Sequence, residues 1–122
     1  MKIAVIGSRS ITDAAALAEM LAPYAERVTE VISGGAAGVD TLAREWAHRH
    51  GKPLRELRPD YRRHGSRAPL LRNQQIVAAA DQVFILWDGS SSGTAYTKRE
   101  AERQGKPVHE RRIMPPNQLR LL

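Results

Sequence analysis

The chain has 122 residues, with 19 lysines and arginines against 13 aspartates and glutamates, a formal charge of +6 and no cysteine. That length supports one domain whose core removes roughly two-thirds of the unfolded surface from water, and the missing thiols exclude a disulfide framework, a thiolate metal site and a cysteine nucleophile. No stretch approaches the roughly 18 apolar residues of a membrane span, and the apolar run Ile3 to Ile6 is too short for a secretory leader, so the chain is expected in the cytoplasm with no membrane partner.

Most of the positive charge is arginine. A guanidinium fork matches phosphate and carboxylate, which favours anionic partners, although a solvated basic surface has the same composition.

Lys2 to Ile6 is a short β-branched run closed by Gly7 and reads as a buried first strand. A helix follows, with Ser10 or Thr12 as its N-cap and Leu17, Leu21, Tyr24 and Val28 at helical spacing, kinked or split at Pro23 and ending near Arg27. Val28 to Ser33 is the second strand. Val39, Leu42, Ala43, Trp46 and Ala47 mark one face of the next helix, stopped by His50-Gly51-Lys52-Pro53. Leu54 to Leu57 is a weaker third strand, and Arg58 to Ala68 reads as an ordered basic surface loop. Leu70 to Ala80 is helical. Gln82 to Trp87 is the most hydrophobic stretch and the best central strand, followed by the loop Asp88 to Gly93, a helix from Thr94 to Gln104 and a short edge strand from Val108 to Glu110. The stop Gly105-Lys106-Pro107 repeats the grammar of residues 51 to 53.

Strands alternating with helices imply right-handed crossovers and an α/β, Rossmann-like three-layer domain over residues 1–110, with a mostly parallel sheet of about five strands and helices on both faces. Residues 111–122, with Pro115-Pro116 and Leu119, Leu121 and Leu122, form a C-terminal tail that is either frayed or docked on a neighbour. Function is expected beyond the C-terminal ends of the strands, at the topological switch point.

Three loops on that edge are rich in small residues: Gly7-Ser8-Arg9, Ser33 to Gly38, and Ser90 to Thr94. Glycine lets a ligand approach the backbone, and the free N–H groups of a helix's first turn favour negative charge. The set therefore reads as an anion site. Neither G-x-G-x-x-G nor G-x-x-x-x-G-K-[ST] is present, which disfavours an ordinary dehydrogenase or a P-loop ATPase.

Ser33-Gly34-Gly35-Ala36-Ala37-Gly38-Val39-Asp40, then Arg72-Asn73-Gln74-Gln75-Ile76-Val77, then Ser91-Ser92-Gly93-Thr94 resemble the SLOG superfamily, which includes the Smf/DprA proteins and the Lonely-guy hydrolases. The likeness is greatest to small YspA/YpsA-like members and runs from about residue 2 to residue 109. It implies a Rossmann-like fold that binds nucleotides or their derivatives, commonly as a homodimer. It also places Arg72 where Lonely-guy enzymes keep a substrate-handling arginine, followed by Asn73 as in the Smf/DprA pattern. The nucleotide or phosphate site so implied comprises Gly7, Ser8, Arg9, Ser33, Gly34, Gly35, Gly38, Asp40, Arg72, Asn73, Ser92, Gly93 and Thr94. Arg72 at a helix start is placed to clamp a phosphate bidentately.

One departure bears on activity. Lonely-guy hydrolases carry glutamate in a Gly-Thr-x-Glu-Glu turn, whereas Thr94 is followed here by Ala95, Tyr96 and Thr97. Asp40, Asp60 and Asp88 are the remaining carboxylates for N-glycosidic chemistry. Asp40 either accepts ribose hydroxyls or complements the helix dipole. Tyr61 either stacks on a base or is an ordinary loop tyrosine. His48, His50, His64 and His109 have no ligand spacing, so no metal is expected, and Trp46 and Trp87 are assigned to the core. The leading expectation is a nucleotide sensor or carrier with no resident cofactor. The alternatives are a phosphoribohydrolase acting on nucleoside monophosphates, and a DprA-like binder of single-stranded nucleic acid using Arg58, Arg62, Arg63, Arg67 and Arg72.

Overall fold

The computed structural model describes residues 1–114. In it the run Lys2–Gly7 forms β1 and Gln82–Trp87 forms β4. Ile3 to Ile6 and Val83 to Trp87 are all buried, as a parallel sheet covered by helices on both faces requires. With β2 (Glu30–Ser33), β3 (Leu54–Glu56) and β5 (Val108–Arg112), the order across the sheet is β3-β2-β1-β4-β5, and every pairing is parallel. This is the three-layer α/β arrangement expected from the sequence. The most hydrophobic strand, β4, is interior, while β1 holds the middle of the sheet.

Strand alternation divides the core into two layers. Ile3, Val5, Val31, Phe84 and Leu86 pack beneath α1 (Ala14–Leu21) and α2 (Val39–Arg49). Ala4, Ile6, Ile32, Val83, Ile85 and Trp87 pack on the other face, against α4 (Ala68–Ala79) and α5 (Ser92–Arg103). Each fully buried large aliphatic or aromatic side chain contributes about 1.5–3 kcal/mol relative to exposure. Trp46 and Trp87 are among the buried residues.

Several boundaries differ from the sequence reading. The N-cap of α1 is Asp13, whose Oδ1 accepts the Ala16 N–H at 3.1 Å, rather than Ser10 or Thr12. Ile11, two residues earlier, tucks its side chain into the core. Pro23 splits the first helix as expected, and Ala22–Arg27 continues as a 3₁₀ turn. Val28 closes that turn by donating to the Tyr24 carbonyl at 3.2 Å, so β2 starts at Glu30. The expected loop 58–68 holds a short helix, α3 (Tyr61–His64), and a 3₁₀ turn, Gly65–Arg67. Asp60 organises α3 by accepting the Arg63 N–H at 3.1 Å. Helix α4 begins before Leu70 because Pro69, at its first turn, occupies a position that needs no amide donor. Ser91 caps α5 and brings its start forward to Ser92, and β5 continues past Glu110 to Arg112.

The repeated Gly-Lys-Pro stop is the same structure twice. Gly51 (φ 64°) and Gly105 (φ 72°) both leave a helix in the left-handed region. Lys52 and Lys106 then donate their N–H groups to Ala47 and Ala101 at 2.8 and 2.9 Å. Pro115, Pro116 and the leucines of the tail lie outside the described residues. Among the described residues no helix is long and apolar enough to cross a membrane.

Candidate functional site

The connection leaving β1 packs on one face of the sheet and the connection leaving β4 on the other, although the two strands are neighbours. Between their C-terminal ends the loops diverge and a crevice must open. It is a cavity of about 470 Å³.

The loop after β1 contributes Gly7, Ser8 and Arg9; the loop after β2 and the first turn of α2 contribute Gly34 and Asp40. Arg72 and Asn73 come from α4, and Asp88, Gly93 and Thr94 from the loop after β4 and the start of α5. The sequence-predicted Ser33, Gly35, Gly38, Ser92 and Asp60 lie outside this wall. Sequence reasoning missed Pro69 and Ile76, which with Arg72 and Asn73 form one face of α4 at spacings of three and four residues, and Thr97, one turn after Gly93. That periodicity was the available signal.

Two of the glycines are required by the fold itself. A Cβ on Gly7 would sit 1.8 Å from the Leu86 carbonyl oxygen, and one on Gly38 (φ 71°) would sit 2.4 Å from the carbonyls of Ser8 and Arg9. Both let backbones touch. Ser8 completes that knot: it is buried, its N–H donates to Leu86, its carbonyl accepts from Val39 and its hydroxyl accepts the Asp88 N–H at 3.1 Å. Ser33 is wholly buried, and its Oγ has no hydrogen-bond partner among the described residues. Gly93 is the opposite case, since a Cβ there would meet nothing within 4 Å. It presents bare backbone at the first turn of a helix.

Arg72 is half-buried and spends most of its donors on the protein. Its Nη1 donates to the carbonyls of Gly34 and Leu57 at 3.2 and 3.3 Å, and its Nε donates to Asn73 Oδ1 at 2.7 Å. The bidentate phosphate fork expected from the sequence is therefore already engaged, and Nη2 is the end without a partner among the described residues. The bond to Asn73 has a second effect. With its Oδ1 occupied, Asn73 is left with its amide N–H groups as donors.

Burial lowers the Arg72 pKa from its ordinary value, opposed by the charge of Asp40 and assisted by that of Arg9. Arg9 is exposed, belongs to no ion pair among the described residues and lines the same cavity. Both guanidinium groups border the cavity and add positive charge to its wall. The two aspartates on the wall differ. The Ser90 N–H, 2.9 Å from Asp88 Oδ1, holds that carboxyl below the usual range, whereas burial raises that of Asp40.

At the positions where a Lonely-guy glutamate would stand there are no carboxylates. The Tyr96 hydroxyl accepts from Gln74 Nε2 at 2.7 Å, and Thr97 Oγ1 donates to the Gly93 carbonyl at 2.8 Å.

A family model described as the YspA, cpYpsA-related SLOG family matches residues 1–64. The chain is 32% identical over 116 residues to the Gene 61 protein of Mycobacterium phage D29, covering 88% of this chain and 93% of that one. Among solved structures, DNA processing protein A from Streptococcus pneumoniae superposes with a TM-score of 0.72 at 21% identity, over 89% of this chain and 49% of that one. This chain thus spans about half the length of that protein. DNA processing protein A from Helicobacter pylori, described as having a unique single-stranded DNA binding mode, superposes with a TM-score of 0.72 at 23% identity, over 99% of this chain and 72% of that one. At these identities the two structures establish a common fold.

Proposed function

Because the chain belongs to the YspA, cpYpsA-related SLOG family, we propose that it binds a nucleotide or nucleotide derivative through its phosphate, as a sensor or carrier without turnover. One observation carries this reading: Arg9, the donor end of Asn73 and the open first turn of α5 at Gly93 border a single cavity at the switch point of the sheet. Hydrogen bonds to a charged group contribute about 1.5–3 kcal/mol each, so three of them supply about 4.5–9 kcal/mol, a range that runs from millimolar to micromolar binding before the cost of association.

The test is mass spectrometry of the small molecules released on denaturation, followed by calorimetric titration of nucleoside monophosphates into the stripped protein. The expected result is saturable binding that Arg9→Ala and Asn73→Ala each weaken by about tenfold. Absence of binding at millimolar nucleotide would refute it. Turnover would appear as free base in the same mixtures, and none is expected, because the glutamates of the Lonely-guy hydrolases have no counterpart at Ala95, Tyr96 and Thr97. The homodimer implied by the resemblance and the cytoplasmic setting expected from the composition are part of the proposal, and light scattering tests the first.

A second reading has its own support. Arg58, Arg62, Arg63 and Arg67 are exposed on α3 and its flanks, with Tyr61 60% exposed among them, and α3 leads directly into the cavity-lining face of α4. Such a stripe suits the backbone of single-stranded nucleic acid.

A further inference from the structure

One part of the cavity wall is wrong for a phosphate. Asp40 faces the cavity, and a carboxylate repels an anion. Its position in the first turn of α2 does not explain it as a complement to the helix dipole. A well-placed first-turn acid is stabilised as the anion, whereas burial here outweighs every favourable contact and raises the carboxyl pKa. Its Oδ2 accepts the Ala36 N–H at 3.0 Å, which uses part of the capacity of a group with about four lone-pair directions. Asp40 belongs to no ion pair among the described residues.

The nearest cation is held just out of reach. A Cβ on Gly34 would lie 2.8 Å from Arg72 Nη1 and 3.1 Å from Asp40 Oδ2, so both side chains lean over the same bare backbone without pairing. Arg72 is kept from closing the gap by its bonds to Gly34, Leu57 and Asn73. A neutral group that donates to a carboxylate and accepts from a guanidinium completes such an arrangement. A hydroxyl does both.

We propose that Asp40 and Arg72, which meet over the backbone of Gly34, form a subsite for the ribose hydroxyls of the ligand and make the cavity selective for ribonucleotides over 2′-deoxyribonucleotides. This rests on the nucleotide reading above. It divides the cavity by chemistry, with donors at the phosphate end and an acceptor at the sugar end. It also sets the cavity apart from any DNA contact made by the arginines of α3.

The experiment is calorimetric titration at fixed salt with adenosine 5′-monophosphate and 2′-deoxyadenosine 5′-monophosphate, and with the corresponding guanosine and cytidine pairs. A hydrogen bond to a charged partner predicts that the ribonucleotide binds about tenfold more tightly or better in at least one pair. Asp40→Ala, and Asp40→Asn, which can still accept the Ala36 N–H, should bring that ratio below about threefold. A purely structural Asp40 would weaken both sugars alike and leave the ratio intact, which would overturn the proposal. So would a wild-type ratio near one in every pair, a measurement that decides the matter even if the variants do not fold. Equal binding of both sugars overturns this inference alone, whereas no binding of either overturns the nucleotide reading with it.

Discussion

Asp40 and Asp88 border the same cavity, yet their surroundings push their carboxyl pKa values in opposite directions, and the difference has a consequence for stability. Burial raises Asp40, so the folded state holds its proton more tightly than the unfolded chain. Stability falls as pH rises from the ordinary carboxylate value through the raised one, and the ionised group remains unfavourable to the fold above that window. Asp40→Asn is therefore expected to stabilise the protein at neutral pH and to flatten this part of the pH profile. Chemical denaturation at pH 4 and pH 7 checks both. The glycines separate just as sharply. Gly7→Ala forces a methyl group onto the Leu86 carbonyl and should cost several kcal/mol or abolish folding, while Gly93→Ala fills empty space and should leave the melting temperature within about 2 °C while weakening nucleotide binding. The glycine-rich loops were legible in the sequence as a set. The division of labour within them was not, because it depends on which backbone passes overhead, and that is decided by strand pairing rather than by any local residue.

At the scale of elements, Arg72 joins α4 to the carbonyls of Gly34 and Leu57 just beyond β2 and β3. Arg72→Ala leaves those carbonyls without their partner in a half-buried place and is expected to cost about 1–3 kcal/mol. Arg72→Lys should recover little of it, since one ammonium does not reproduce three fixed bonds. Thermal unfolding of the two variants tests this apart from any effect on ligand. A second latch ties α4 to α5. Glu100 accepts from Arg103 and from Gln104 Nε2, and the latter also reaches the Gln74 carbonyl. Arg103 and then Gln104 hold the Glu100 carboxyl down to about 2. Its contribution is complete above the ordinary value of 4.5 and is lost as pH falls towards 2. Glu100→Gln should therefore lower stability at pH 7 and make the acid limb of the stability profile shallower, read by circular dichroism between pH 2 and 6. Helices and strands were legible because their apolar periodicities are strong. Their ends were less so: Ser10, Thr12 and Asp13 are all capping residue types, and the structure distinguishes them by the Ala16 N–H bond that Asp13 accepts.

For the whole molecule, alternation of strand and helix constrained the fold to a parallel sheet with right-handed crossovers, and the switch point followed from that topology before any side chain was considered. The cavity was less legible, because its far wall is one face of α4, a helix whose role depends on where the sheet places it. The formal charge of +6 is a property at this scale. If the arginines of α3 meet a phosphate chain, affinity for a single-stranded oligonucleotide should fall with salt on logarithmic axes by about 0.7 per phosphate neutralised. Replacing Arg62 and Arg63 with alanine should then lower the slope by about one to one and a half and leave mononucleotide binding unchanged.

The sheet also limits how copies of the chain can meet. One margin, β3, is three residues long, and the other, β5, reads VHERR with its last three side chains exposed. A margin that is short, or crowded with charge, is a poor template for a neighbouring strand and resists the edge-on stacking that seeds aggregates. The proposed homodimer is therefore expected to form without extending the sheet.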